Sequence, residues 1–349
     1  MAPGRAGVGA ALLGAFLFGA STPVAKLLVG EIDPLLLAGL LYAGSGIGLT
    51  LWLLARRVRP GASRIALPRG DVPWLAGAVI AGGVAAPVLL MLGLASTEAS
   101  TAALLLNLEG VFTALIAWFA FRENFDRRVL AGMVLIVAGG LLLAWRPGGF
   151  TLAWPAVAIA AACLLWALDN NLTRKVSTSD AVVIAGVKGL VAGAVNVSLA
   201  LALGSAAPAA KLWLAASAVG FAGYGVSLAL FVVALRQLGA ARTAAYFSTA
   251  PFIGAALAFA ALGESQTPLF WIAALLMAAG VALHLAERHA HGHTHQRLRH
   301  EHAHLHDEHH RHEHAAGWDG REPHTHEHEH APLAHSHPHY PDIHHRHSH

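Results

Sequence analysis

The chain of 349 residues has few charged residues and almost no cysteine. Asp, Glu, Lys and Arg make up 12% of it, about half of the ~25% that soluble domains carry. A soluble protein of this size needs a polar surface, and these charges are too few to build one. The single cysteine, Cys163, excludes an internal disulfide and argues against a cysteine-based metal site. No P-loop, nucleophile motif or Rossmann glycine pattern occurs, so we do not expect an enzyme.

Hydrophobic residues make up 56% of the chain and occur in long runs. A bilayer core of ~30 Å needs about 20 apolar residues per helix. Ten runs of about that length cover residues 7–28, 34–55, 72–94, 99–121, 127–145, 152–173, 181–203, 212–235, 240–262 and 267–287. The sequence therefore predicts an all-α membrane protein with ten transmembrane helices.

Lys and Arg are distributed unevenly between the connections. With the N-terminus in the cytoplasm, the inner connections hold thirteen of them and the outer connections hold three. Because cytoplasmic loops carry the excess of positive charge, we expect both termini in the cytoplasm. The bias towards Ala, Gly and Arg indicates a bacterial source, and hence the cytoplasmic (inner) membrane.

The body of the chain repeats itself. At an offset of 148, Lys26 matches Arg174; at an offset of 141, four identical pairs match, namely Leu94 with Leu235, Ala103 with Ala244, Glu123 with Glu264 and Gly139 with Gly280. Five spans per repeat is an odd number, so the halves have opposite orientations, as in many secondary transporters. We predict two inverted five-helix repeats, residues 1–148 and 149–288, followed by a tail at 289–349.

One stretch of each half carries a family resemblance. Residues 106–115, with Arg122-Glu123 and the Gly139-Gly140 helix, resemble an EamA domain, and a weaker partner runs from Ala241 to Gly280. The resemblance is to the ten-helix type of the drug/metabolite transporter superfamily and covers about residues 7–287. It implies a secondary transporter, usually an exporter of small metabolites, amino acids or drugs. It implies no substrate, and the tail is not part of the pattern.

Polar groups in the fourth and ninth spans are candidates for binding or coupling. Glu109 lies near the middle of the fourth span, where a charge costs at least ~2.5 kcal/mol. Its counterpart at the 141 offset is followed by Pro251, which would weaken the helix and free a carbonyl. Asn107 matches Ser248, a second polar pair. A carboxylate at this depth could bind a proton, a cation or a substrate amine, or only position helices.

A second polar cluster lies near the cytoplasmic end of the sixth span. Asp169, Asn170 and Asn171 are consecutive, so at least one should face the bundle interior. Lys188 in the seventh span lies at a similar depth, and an ion pair with Asp169 would partly neutralise both groups. The pair could line a gate or be purely structural. Asn196, Tyr42 and Tyr224 are weaker signals, and an interfacial Tyr is typically a membrane anchor.

The tail, residues 289–349, has too few apolar residues to form a core, so we expect it to be disordered without metal. Its His-x-His pattern predicts several labile sites for Zn, Ni, Co or Cu, with interleaved carboxylates as auxiliary ligands. The candidate ligands are His291, His293, His295, His302, His304, His306, His324, His326, His328, His330, His335, His337 and His339. No cofactor is required by any other part of the chain.

Three functions remain open at this point. The first is a secondary-active transporter, most simply an exporter, of a small organic metabolite that is amino-acid-like, drug-like or metal-chelating, with a metal-responsive cytoplasmic tail. The second is a transporter of a divalent metal (Zn, Ni or Co), although the spans offer few fixed ligands for one. The third is a membrane-tethered metal buffer or sensor. The expected partners are the lipid bilayer, a small-molecule substrate and metal ions at the tail, with no nucleic acid; a homodimer is left open.

Overall fold

Long apolar helices dominate the computed structural model of this chain. It describes residues 3–57, 69–121, 127–145, 153–176, 180–238, 243, 246–285, 290–295, 298–304, 324–330 and 333–338. The continuous helices are α1 (Pro3–Val29), α2 (Pro34–Arg57), α7 (Arg127–Ala144), α8 (Trp154–Lys175), α9 (Ala181–Ala202) and α13 (Pro268–Leu285). A short 3₁₀ turn, Arg69–Asp71, precedes the third span.

Four predicted spans are interrupted. The third consists of α3 (Val72–Ala78), a first π-helical segment (Val79–Ala85) and α4 (Ala86–Ala95). The eighth consists of α10 (Ala210–Gly220), a second π-helical segment (Phe221–Val226) and α11 (Ser227–Leu238). In the fourth, a turn separates α5 (Ala99–Leu105) from α6 (Leu108–Phe121), and in the ninth a turn at 248–249 precedes α12 (Ala250–Leu262).

Eight helical stretches among the described residues are long and apolar enough to cross a membrane. They are Ala6–Val29, Pro34–Arg56, Val72–Ala95, Ala99–Ala120, Arg127–Ala144, Trp154–Thr173, Val182–Ala202 and Ala210–Phe231. These correspond to the first eight predicted spans. The helices at the ninth and tenth predicted spans, Ala250–Leu262 and Pro268–His284, are apolar but shorter. The predicted ninth span begins at residue 240, in a stretch that is described only in part.

Close helix crossings are made at small residues. A Cβ added to Gly189 would lie 2.5 Å from the backbone nitrogen of Gly46, at the crossing of α2 and α9. On α7 and α13, a Cβ on Gly132 would lie 2.7 Å from the carbonyl oxygen of Gly280. Small residues allow such approach, and dispersion between closely packed backbones holds helices together where lipid gives apolar side chains no preference.

The tail, which the sequence predicts to be disordered without metal, is described in part. The structure describes two antiparallel strand pairs there, β1 (Ala290–His295) with β4 (Leu333–Pro338) and β2 (Leu298–His304) with β3 (His324–His330). A lack of apolar residues excludes a packed core, but it does not exclude pairing of strands. The strict alternation of His with other residues has the period of two that is typical of a strand. His306 and His339 lie outside the described residues.

Candidate functional site

Glu109 lies where the fourth span is interrupted. Leu106 and Asn107 form the turn, α6 begins at Leu108, and Glu109 therefore lies in the first turn of α6. Free backbone N–H groups and the helix dipole favour a carboxylate at this position. Glu109 is partly exposed, and its Oε1 accepts a hydrogen bond of 2.8 Å from Nδ2 of Asn170, an exposed residue. The structure thus brings together two of the predicted site residues from α6 and α8.

The Asn107 side chain bonds to the backbone at the helix break. Its side chain is buried, and Nδ2 donates to the carbonyl oxygen of Leu104 at 2.9 Å. Its backbone N–H donates to the same carbonyl at 3.1 Å. The Asn107 side chain therefore adds a hydrogen bond to a carbonyl at the end of α5 that also accepts from backbone N–H groups. This contact is local, and it does not bring Asn107 to the Glu109 carboxylate.

Asp169 and Lys188 form the ion pair that their depth predicts. Nζ of Lys188 lies 2.6 Å from Oδ1 and 2.5 Å from Oδ2 of Asp169, and the two side chains are 16% and 6% exposed. Thr173 donates a further hydrogen bond of 2.9 Å to Asp169 Oδ1. Two charges removed from water need such a set of contacts, because an unpaired buried charge is costly.

Gly82 in the first π-helical segment supports this pair. The Asp169 carboxylate packs directly against its Cα, leaving no room for a side chain. The Gly82 carbonyl oxygen accepts from the Tyr42 hydroxyl at 2.7 Å and from Nε1 of Trp166 at 2.9 Å. A π-helical turn disturbs the regular pairing of backbone groups, and side chains from α2 and α8 here use the carbonyl that it presents.

The interpretation of Tyr42 and Tyr224 as membrane anchors is wrong. Their ring centroids are 5.6 Å apart, and Tyr224 lies 5.9 Å from Phe18 in an edge-on arrangement. These rings pack in the bundle and not at the ends of spans. The sequence predicts no role for Trp166, and it does not predict that the two Tyr rings pack inside the bundle. The signal for Trp166 was its match to Phe18 at the 148 offset, which places aromatic residues at corresponding positions of α8 and α1.

Asn171 and Asn196 bond to backbone carbonyls. Asn171 Nδ2 donates to Ala167 at 2.8 Å and to Thr113 at 3.3 Å, which links α8 to α6. Asn196 on α9 is fully buried, and its Nδ2 donates to Val84 at 3.2 Å in the first π-helical segment. Its Oδ1 has no hydrogen-bond partner among the described residues. Both amides satisfy carbonyls inside the bundle.

Ser248 and Pro251 lie at the break of the ninth span. Ser248 belongs to the turn, and Pro251 lies in the first turn of α12. A proline there removes no helical hydrogen bond, so it does not weaken the helix in the way that the sequence suggests. Gly19 of α1 packs against the Ala250 carbonyl oxygen, which leaves no space for a Cβ at position 19. The structure thus places the start of α12 beside α1.

Fixed metal ligands are scarce in the bundle. Among the side chains that the structure describes, no group of three His, Cys, Asp or Glu is arranged to hold a metal ion. His284, near the end of α13, bonds through Nε2 to the Val129 carbonyl at 3.0 Å. Asp169 is already paired with Lys188. The described residues therefore offer no three-ligand metal site at Glu109.

Comparison with known proteins agrees with this geometry. The pattern of the EamA-like transporter family matches twice, at residues 5–145 and 153–286. An uncharacterized transporter of Methanothermobacter thermautotrophicus is 30% identical over 281 residues, which is 76% of this chain and 81% of that protein. A protein of Pseudomonas paraeruginosa named probable 4-amino-4-deoxy-L-arabinose-phosphoundecaprenol flippase subunit ArnE is 40% identical over 110 residues, 31% of this chain and 93% of its own length.

One solved crystal structure shares the fold. It superimposes with a TM-score of 0.58 at 22% identity and covers 79% of this chain and 95% of the other. At that identity the likeness concerns the fold alone. The family match covers most of the chain, and the apolar helices have the length that a membrane requires. The chain is an integral membrane protein that belongs to the EamA-like transporter family.

Proposed function

We propose that this transporter moves a small organic metabolite, most simply as an exporter, through a polar site between its halves in which Glu109 binds the substrate or a coupling ion. The observation that carries this proposal is the position of Glu109 at a helix break. It is partly exposed, bonded to the exposed amide of Asn170, and has no cationic side chain bonded to it in the described residues. A carboxylate in that setting suits a substrate amine or a proton.

The proposed architecture is ten spans in two inverted repeats. The helix irregularities support it, because Ala86 and Ser227, which begin the helices after the two π-helical segments, are 141 residues apart. The contacts also form pairs: α1 packs on α11 and α12, and α8 packs on α4 and α6. At the offsets of 148 and 141 these are the same contacts in the two halves. The excess of inner Lys and Arg supports placing both termini in the cytoplasm of a bacterial cell.

A divalent metal is the less favoured cargo. The ion pair occupies the Asp169 carboxylate, and the remaining ligands near Glu109 are amides and a hydroxyl. Transition metals of the Zn and Ni type prefer imidazole or thiolate. The tail is the part of the chain that suits such ions.

We propose that the tail binds labile Zn, Ni, Co or Cu in the cytoplasm. The strand register supports this, because His291 is opposite His337 and His293 is opposite His335. Three more pairs follow in the second strand pair: His300 with His328, His302 with His326 and His304 with His324. Opposite residues of antiparallel strands share a face, and alternate residues along a strand do so too. Purified full-length protein should bind several Ni per chain, and protein ending at Arg288 should bind less than one.

The test of the main proposal uses inside-out membrane vesicles. Four kinds of vesicle are compared, which contain the full chain, the chain ending at Arg288, the Glu109→Gln variant or the Glu31→Gln variant. Each kind receives either a mixture of labelled amino acids and aliphatic amines or a mixture of Zn, Ni, Co and Cu. We expect at least one organic compound to accumulate in the full-length and shortened chains and in the exposed Glu31 control, and tenfold less with Glu109→Gln. Unchanged accumulation with Glu109→Gln would remove it from the mechanism. Metal accumulation that depends on Glu109 in the shortened chain would make metal the cargo.

A further inference from the structure

A carboxylate from one half of the protein caps a helix of the other half. Glu264 follows α12, and its Oε1 accepts from the Ala99 backbone N–H at 2.7 Å. Its Oε2 accepts from the Ser100 N–H at 3.0 Å and from the Ser100 hydroxyl at 2.5 Å. These are the first N–H groups of α5, where the fourth span begins. Hydrogen bonds to an ionised acceptor are stronger than neutral ones, and the helix dipole adds to them.

The local sequence makes this cap a contact between halves. Glu98, at the N-cap position of α5, makes no capping hydrogen bond with its side chain, so the usual local cap is missing. Gly263 ends α12 with φ of +64°, a left-handed conformation that glycine adopts without strain. The chain then turns, and Glu264 approaches α5. Gln266 adds bonds of 2.7 Å to the Ser100 hydroxyl and 2.9 Å to Glu98 Oε2.

The region behind the cap is closed. Ala99, Ser100 and Ala102 are fully buried, and Ala103 is 1% exposed. Ala103 packs in a cluster with Ala255 and Phe270, so α5 and α12 meet directly below Glu264. At the Glu109 site, in contrast, Asn170 is exposed. In the proposed orientation, the capped end faces outwards and Asn170 lies towards the cytoplasm.

We propose that Glu264 is a latch that holds the outer side of the bundle closed. Opening that side separates α5 from α12, and the separation has to break the three hydrogen bonds of Glu264. The bonds exist only while the halves meet there, so they stabilise the closed state and not the open one. The inference rests on the proposed opening of the bundle between its halves, and it does not depend on the cargo.

The test measures how fast a buried position becomes accessible. Ala103→Cys is introduced with Cys163→Ala, which removes the one native thiol. Labelling by a membrane-impermeant maleimide is followed in permeabilised cells with Glu264 intact, with Glu264→Gln and with Glu31→Gln. Glu31 is exposed in the connection between α1 and α2, on the same membrane face, and serves as the matched control.

We expect labelling to be roughly tenfold faster with Glu264→Gln, equivalent to about 1.4 kcal/mol less stabilisation of the closed state. The amide keeps one acceptor and presents a donor to the other N–H. Glu31→Gln should not change the rate. Ser100→Ala, which removes only the hydroxyl partner, should give a smaller increase, and it replaces Glu264→Gln if that protein does not accumulate.

Equal labelling rates in all variants, including none at all, would overturn the latch. So would a lower thermal unfolding temperature of Glu264→Gln without faster labelling, because that result describes a purely structural cap. The labelling rate does not require transport. A failure of the Glu109 transport test with faster labelling in Glu264→Gln would therefore reject the proposed site and leave the latch supported.

Discussion

The two halves of the bundle share their backbone irregularities but not the charged groups of the candidate site. The third and eighth spans each contain a π-helical segment, and the fourth and ninth are each interrupted before α6 and α12. Yet the position that corresponds to Glu109 at the 141 offset is an alanine, Ala250. The position that corresponds to Asp169 at the 148 offset is Ser21. The duplicated features are places where helices bend or separate. The features present once are the groups that could recognise a cargo.

This difference assigns conformational change to the duplicated features and substrate recognition to the features present once. Helix breaks and π turns lower the resistance of a span to bending, and both halves need them if the bundle opens on either side. A substrate needs one site, so a carboxylate in one half is enough. Substitutions of the duplicated features should therefore affect packing and conformational change. Substitutions of Glu109 should affect binding or coupling.

The largest expected effect comes from the ion pair that only one copy of the repeat contains. Lys188→Ala leaves Asp169 buried and unpaired, and we expect it to lower the free energy of unfolding by ~3–5 kcal/mol. The double variant Asp169→Ala/Lys188→Ala should recover most of that loss, since no uncompensated charge remains. Denaturant unfolding of the protein in detergent measures both. Lys211→Ala, at an exposed position, is the control.

Two other outcomes would contradict the role of this ion pair as a structural unit of one half. If Lys188→Ala were as stable as the parent protein, the contact between Lys188 and Asp169 would contribute nothing to the free energy of unfolding. The pair would then be no structural unit. If the double variant remained as unstable as the single one, the loss would come from packing around the lysine stem and not from charge.

The ion pair is an example of a contact that the sequence alone predicts. Two opposite charges within apolar spans are costly enough to predict their contact, and the lengths of apolar runs predict the first eight spans for the same reason. The bonds of Tyr42 and Trp166 to the Gly82 carbonyl could not be predicted. They depend on a π-helical turn and on donors from α2 and α8, which lie 40 and 84 positions away in the sequence. The role of Glu264 depends on a helix 165 positions away, as the bond to Ala99 shows.

A smaller effect is expected at the duplicated π-helical segment. Gly82→Ala places a Cβ against the Asp169 carboxylate, so the first π-helical segment or α8 has to move. Overpacking of this kind costs ~1–3 kcal/mol. Gly9→Ala is the matched control, because no atom lies within 4 Å of a Cβ at that helical position. The unfolding free energies of both variants are compared with that of the parent. A neutral Gly82→Ala would mean that the segment adjusts without disturbing the ion pair.

The smallest effects concern the breaks in the fourth and ninth spans. Asn107→Ala removes the side-chain bond to the Leu104 carbonyl, which keeps its backbone partners, and we expect a loss of about 1 kcal/mol. The first-half break contains no proline, so proline is not what creates such a break. Pro251 lies in the first turn of α12, where its missing N–H has no helical partner to lose.

Pro251→Ala should therefore change the unfolding free energy by less than ~0.5 kcal/mol and leave transport unchanged. The alternative is that proline keeps the ninth span broken, in which case alanine would extend α12 backwards through Thr249 and Ser248. That extension would replace the turn at 248–249 by regular helix and could keep the bond of 2.6 Å from the Thr249 hydroxyl to the Tyr246 carbonyl, since a helical Thr can make it. It would also press α12 against Gly19, where an added Cβ has no space. Thermal unfolding and transport by Pro251→Ala, measured beside Asn107→Ala, decide between a break fixed by packing in both halves and one fixed by proline in the second half alone.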